Sequence, residues 1–282
     1  MPSGKRSKLR RREGAGSVAL KTPPPVRSKG LEPRRARQAS PRALAIGGGV
    51  LALIAIGIAL AVVLGSGSSS SGIPKGTPTI GTLDGALPGA EEVERLYKGV
   101  PQHGLTLGSA SAPVRMVMFI DLQCPICRDF EVSNMQTIVD TYVRTGKVRI
   151  DLEPWAFIGD DSFRGRLALI AASFQNKAFN FGSVLYDNQG PENSGWLTDG
   201  MIAQIAASVP GLNVKRVFDE RSSARAKSIA RAVDALAAAD NVTGTPTVLV
   251  GKAGEKPKNV TAPGAAPTLH DVETAIQAAL GS

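Results

Sequence analysis

Residues 43–65 form an unbroken apolar run with no charged or polar side chain. A helix of that length, at about 1.5 Å per residue, covers roughly 34 Å and so spans a bilayer. The run exceeds the apolar stretch of about 7 to 15 residues in a cleavable signal and follows a long leader, which predicts an uncleaved transmembrane helix. Residues 66–90 are rich in Gly, Ser and Pro without apolar periodicity, the pattern of a flexible linker with a root-mean-square span of about 25 to 30 Å. A short solvated helix is expected around Glu91, Glu92 and Glu94, where a folded domain over 91–282 begins, long enough for one core.

Within that domain, 114–120 reads as a short apolar strand buried in the middle of a sheet. From Pro125 onward Phe130, Met135, Ile138, Val139 and Tyr142 fall close to one helical face, ending at Gly146, and 148–152 alternates as a second strand. Strand, helix and strand at this spacing predict a βαβ unit with parallel strands. A helical insert over about 160–240 follows, with helices expected at 162–175, 179–186, 198–208 and 222–239. Asp160 and Asp161 are expected to cap its first helix. The pattern closes with a strand at 247–250, a weaker one at 259–261 and a helix over 268–280. The predicted fold class is therefore α/β: one mixed sheet flanked by helices, preceded by a single transmembrane helix.

The net charge of +9 changes this picture little, because thirteen of the 33 Lys and Arg lie in residues 1–42 against two acids. The rest is near neutral, so the charge describes a basic, disordered tail, and nothing interleaves basic with aromatic residues as a nucleic-acid surface would. With its basic excess wholly before the apolar run, the N-terminus is expected in the cytoplasm and the domain outside the cell membrane as a single-pass protein. That places its cysteines in an oxidising compartment.

There are two cysteines, Cys124 and Cys127, at the junction between the first strand and its helix. A cysteine in the first turn of a helix faces unpaired backbone N–H groups and the positive end of the helix dipole, which favour thiolate over thiol. Residues i and i+3 lie about 5 to 6 Å apart on one face, within disulfide range. Pro125 suits the first helical position and, with Ile126, gives a rigid turn that leaves Cys124 as the outward, attackable sulfur. A four-residue loop closes too little chain entropy to serve as a useful staple. No third cysteine exists, and the two histidines, His103 and His270, are far apart in sequence, so no metal site is expected. Trp155, Trp196, Phe179 and Phe181 read as core or rim packing.

Gly244-Thr245-Pro246-Thr247 before the third long strand completes a pattern. With the lead-in Gly99-Val100-Pro101-Gln102-His103-Gly104, the stretch Phe119-Ile120-Asp121-Leu122-Gln123-Cys124-Pro125-Ile126-Cys127 and the helical insert, the chain resembles the DsbA-like thiol-disulfide oxidoreductases of the thioredoxin superfamily over about 99–280. The resemblance implies a thioredoxin fold with a helical insertion, Cys124 as nucleophile, Cys127 as resolving thiol, and a cis peptide at Thr245-Pro246 facing them, with the backbone at Thr245 suited to pairing with an extended substrate. It further implies exported protein thiols as substrates, no cofactor beyond the two sulfurs, and reoxidation by a quinone-linked membrane protein. Many members carry a buried glutamate six residues before the nucleophile, a proton relay to the inner cysteine; here that position is Met118. Asp121 fits a strand-end position that caps the turn. The histidine between the cysteines of the strongest oxidases is also missing, so two other readings stay open: a membrane-linked reductase or isomerase, and a non-enzymatic anchored module that binds peptide or copper.

Overall fold

The computed structural model describes residues 72–260 and 265–281. The chain divides into two units, 1–66 and 67–282, and every described residue belongs to the second. The expected basic tail and the apolar span at 43–65 lie outside the described residues; among the described ones no helix is long and apolar enough to cross a membrane.

The elements run as α1 (Ala90–Tyr97), β1 (Gln102–His103), β2 (Thr106–Leu107), β3 (Val114–Ile120), α2 (Pro125–Ile138) and a π-helical turn (Val139–Val143), then β4 (Val148–Pro154). The insert comprises α3 (Asp160–Ser173), α4 (Ala178–Asp187), α5 (Asp199–Ala207), α6 (Val214–Arg221) and α7 (Ala224–Ala239), before β5 (Thr247–Lys252), β6 (Lys258–Asn259) and α8 (Leu269–Gly281). The sheet order is β1-β2-β4-β3-β5-β6. β3 and β4 are parallel, Val114 opposite Val148 and Ile120 opposite Pro154, as the α2 crossover requires, and all other pairs are antiparallel.

Alternation along β3 sorts its side chains between two layers. Val114, Met116, Met118 and Ile120 join the main core with Cys127, Phe130, Met135 and Ile138 of α2 and Val272 and Ile276 of α8. Val117 and Phe119 face the other way, against Leu249 and Ala237 of α7. The strand is thus buried on both sides, which is why it reads as a nearly continuous apolar run.

Three expectations are corrected. Residues 72–89 do not behave as loose linker: Gly81 N donates to Leu212 O at 2.8 Å, Thr82 N to Ala207 O at 2.9 Å, and Leu87 N to the Ser208 hydroxyl at 2.9 Å. Backbone bonding of this kind needs no apolar period and leaves no pattern in the sequence. The pattern gives no helix between 208 and 222, where α6 lies; this polar helix, capped by Asn213 Oδ1 accepting from Arg216 N at 2.9 Å, turns only Val214 and Val217 fully inward, and the helix expected over 222–239 is α7. Asp160 and Asp161 do not cap α3; Gly159 holds that position and the acids lie in the first turn, where the helix dipole favours them.

Candidate active site

The turn between β3 and α2 is held from every side. Asp121, 1 % exposed, accepts from Gln123 N at 2.8 Å and the Ser162 hydroxyl at 2.6 Å through Oδ1, and from Phe157 N at 2.9 Å and Ile158 N at 3.2 Å through Oδ2. One carboxylate thus caps the turn, as expected of it, and also fixes the exit of β4 and the start of α3. Gln123, fully buried, donates through Nε2 to the Ser162 hydroxyl at 3.0 Å and accepts from Asn193 N at 2.8 Å. Gln189 Nε2 donates to the carbonyls of Leu122 at 3.0 Å and Cys124 at 3.3 Å, and the Tyr186 hydroxyl donates to Asp121 O at 3.1 Å. Ser162, Tyr186, Gln189 and Asn193 all come from the insert, 38 or more residues downstream, and only Asp121 among these had a role legible in the sequence.

Cys124 stands at the N-cap of α2 with Pro125 at its first position, so the sulfur meets the free end of the helix. Cys127 N donates to Cys124 Sγ at 3.4 Å, and the Cys124 thiol donates to Thr245 O at 3.3 Å. Both cysteines are in the dithiol state. Cys124 is less outward than expected, at 6 % exposed against 2 % for Cys127, while Pro125 and Ile126 face solvent, Ile126 at 49 %.

The two thiols are pushed apart electrostatically. A hydrogen bond from the Cys127 thiol is the largest influence on Cys124; burial opposes it, while the Thr245 hydroxyl and the backbone N–H groups of Cys127 and Ile126 add to it, bringing Cys124 down to about 6. Burial first, then the Cys124 sulfur, push Cys127 well above the ordinary thiol range. One sulfur is therefore ionised at neutral pH and its neighbour is a proton-bearing acid. The Thr245-Pro246 peptide is cis, as the resemblance implied, and the Thr245 hydroxyl oxygen is buried with no hydrogen-bond partner in this dithiol form.

His103 and His270 are exposed on β1 and α8, and among the described residues no cluster of three His, Cys, Asp or Glu side chains could hold a metal. Phe179 and Phe181 are core; Trp155 is partly buried and stacks on exposed Phe157 with ring centroids 4.6 Å apart. At Met118 the side chain is 1 % exposed in an apolar setting, so no carboxylate occupies that place. Glu131, one helical turn after Cys127, accepts from the Tyr97 hydroxyl at 3.1 Å and from the Ser183 hydroxyl, and its burial raises its carboxyl to about 7. Its i+4 spacing from Cys127 was the available sequence signal.

The family model described as thioredoxin matches residues 101–262. A protein named probable disulfide bond formation protein D, from Bacillus anthracis, is 29 % identical over 148 residues, covering 51 % of this chain and 68 % of its own. The crystal structure of oxidised BdbD from Bacillus subtilis superposes with a TM-score of 0.56 at 21 % identity, over 65 % of this chain and 98 % of that one. That of DsbA from Chlamydia trachomatis does so with a TM-score of 0.53 at 21 % identity, over 63 % and 92 %.

Proposed function

Because the chain belongs to the thioredoxin family and is a DsbA-like thiol-disulfide oxidoreductase, we propose that it forms disulfide bonds in exported proteins through Cys124-Pro125-Ile126-Cys127. The observation that carries this reading is the split between the two thiols, Cys124 held at about 6 and Cys127 pushed far up. A thiolate stabilised in the reduced enzyme makes reduction of the enzyme favourable, which is the property of an oxidant.

In the forward reaction a substrate thiolate attacks Cys124 of the disulfide form, the Cys124–Cys127 bond breaks, and Cys127 leaves with the electron pair and takes a proton. A second substrate thiolate attacks the substrate sulfur of the mixed disulfide and releases Cys124 as its stabilised thiolate. Thr245 and Pro246 supply the backbone wall for an extended substrate. Exposed Ile126 and Phe157, whose amide is held by Asp121, offer apolar contact to an unfolded chain.

The apolar run at 43–65 and the basic tail before it support a single-pass anchor with the N-terminus cytoplasmic and the enzyme outside. Reoxidation would then fall to a quinone-linked protein of the same membrane. No cofactor is required, since the two sulfurs carry the electrons. Equilibration with glutathione tests the direction: a potential well above thioredoxin's, about −270 mV, is expected, and a value at or below it overturns the oxidase in favour of a reductase. In the native host, Cys127→Ser should trap exported proteins on Cys124.

A further inference from the structure

The amide that steadies the Cys124 sulfur belongs to a turn whose carbonyls are held from outside α2. Cys127 N reaches Cys124 Sγ at 3.4 Å, so a small rotation of the first helical turn carries the donor off the sulfur. Two carbonyls set that rotation. Cys124 O is the first acceptor of the helix, taking Arg128 N at 3.2 Å, and Leu122 O lies on the other side of Gln123 in a residue 2 % exposed. Gln189 bridges the two, its Nε2 donating to Leu122 O at 3.0 Å and to Cys124 O at 3.3 Å. Among the described residues no backbone amide donates to Leu122 O, so the carboxamide is what satisfies this buried carbonyl.

Gln189 is itself fixed on both flanks. Its backbone N donates to Tyr186 O at 3.2 Å, and the same carbonyl takes Arg128 Nε at 3.1 Å, so the end of α4 and the start of α2 share one acceptor. On one flank Asn188 Nδ2 donates to Pro88 O at 2.9 Å, in the segment that leads into α1. That segment sits close: a methyl on Gly89, whose φ is 81°, would strike the Asp187 carboxylate. On the other flank Gly190 packs against the Trp196 ring so tightly that an added Cβ would stand 2.6 Å from Trp196 Cγ. With both neighbours locked, the glutamine gives up little further freedom in making its two bonds.

We infer that Gln189 is a positioning residue of the thiol-disulfide reaction: by clamping the Leu122 and Cys124 carbonyls it aims the first amides of α2 at the Cys124 sulfur, and the segment before α1 holds it in place through Asn188. This rests on the reading of Cys124 as the nucleophile. Electrostatics act in the same direction. A carbonyl oxygen beside a thiolate repels it, and an N–H donated to that oxygen offsets part of the repulsion. The clamp therefore counts most in the reduced enzyme, where the sulfur carries charge, and it favours Cys124 as the leaving group when substrate is released. The titratable and charged groups around the turn are Cys127, Arg128 and Asp129 of α2, Asp121 just after β3, and Tyr186 and Asp187 of α4. Substituting Asn188 or Gln189 alters none of them.

The test uses the full chain and two readouts: the pH midpoint of Cys124 alkylation by iodoacetamide, and the equilibrium with glutathione at neutral pH. Gln189→Met keeps the length of the side chain and removes the donor. Its midpoint should rise from about 6 by at least about half a pH unit, and its equilibrium should shift at least about twofold toward the oxidised enzyme. Gln189→Asn, which keeps the donor on a shorter stem, should fall between wild type and Gln189→Met. Asn188→Ala should move both readouts the same way by less, and should add nothing in the Gln189→Met background, since it acts through that side chain. A lower melting temperature with both readouts unmoved is the mark of a merely structural clamp and overturns the inference. If Gln189→Met fails to fold, Asn188→Ala and Gln189→Asn with wild-type midpoints overturn it equally. A wild-type midpoint at the ordinary thiol value of 9.0 removes the nucleophile reading and the inference with it, whereas a wild type near 6 with unmoved variants overturns the inference alone.

Discussion

The hydroxyl of Thr245 helps hold down the proton affinity of both Cys124 and Cys127, yet its oxygen is buried and makes no hydrogen bond while both sulfurs carry protons. A donor with no partner in the dithiol acquires one once Cys124 ionises. Thr245→Val keeps the shape and removes the donor, so Cys124 should titrate higher by roughly one pH unit, the worth of a hydrogen bond to a charged group. The pH dependence of iodoacetamide alkylation measures this. An unchanged midpoint would show that the hydroxyl does not reach the thiolate.

Cys127 is itself the largest influence on its neighbour. Cys127→Ala, which removes the donor, should raise the Cys124 midpoint from about 6 towards the ordinary thiol range by more than Thr245→Val does. Cys127→Ser, which retains a hydroxyl, should fall between wild type and Cys127→Ala. A midpoint left unmoved by Cys127→Ala would assign the low value to the helix end instead.

Stability of the reduced form should depend on pH in a definite direction. Cys124 has its proton affinity lowered by folding, from 9.0 to about 6, so its contribution is complete above pH 9 and is lost as pH falls through 6. Linkage gives about 1.4 kcal/mol at pH 7 and roughly twice that at pH 8. Glu131 and Glu153, both raised to about 7 by burial, act oppositely, costing stability as pH rises from 4.5 through 7. They are present in both redox states and cancel in the difference. Denaturant melts of reduced and oxidised protein should show the reduced form gaining on the oxidised one between pH 6 and 8, and a gap that does not widen rules out a low-titrating Cys124.

Asp121 carries four hydrogen bonds on one side chain, and Asp121→Ala leaves the buried donors at Gln123 and Ser162 and the half-buried ones at Phe157 and Ile158 without an acceptor. The expected loss is about 3 kcal/mol or more. Asp121→Asn, keeping one oxygen, should lose less. Chemical denaturation measures both.

Much of the site was legible because it is local. The cysteine pair, Pro125 at the helix start, Thr245-Pro246 and the apolar run of β3 are each set by neighbours in sequence, and a buried strand or helix start is written in residue type and spacing. The two-residue strands β1 and β2 are too short to show a period. Residues 72–89 dock through backbone groups, which every residue has. Gln123, Gln189 and Asn193 look like ordinary polar residues until the insert folds over the turn, and Glu131 reads as one more acid on a helix until Tyr97 and Ser183 close around it.

The insert that supplies Ser162, Tyr186, Gln189 and Asn193 forms the mould in which the reactive turn is cast. The reduction potential of the cysteine pair can therefore drift during evolution through substitutions far from the sulfurs, with all four letters of Cys124-Pro125-Ile126-Cys127 intact. Two homologues sharing that motif need not share a potential, and the loop over 188–195 is the place to look for the difference.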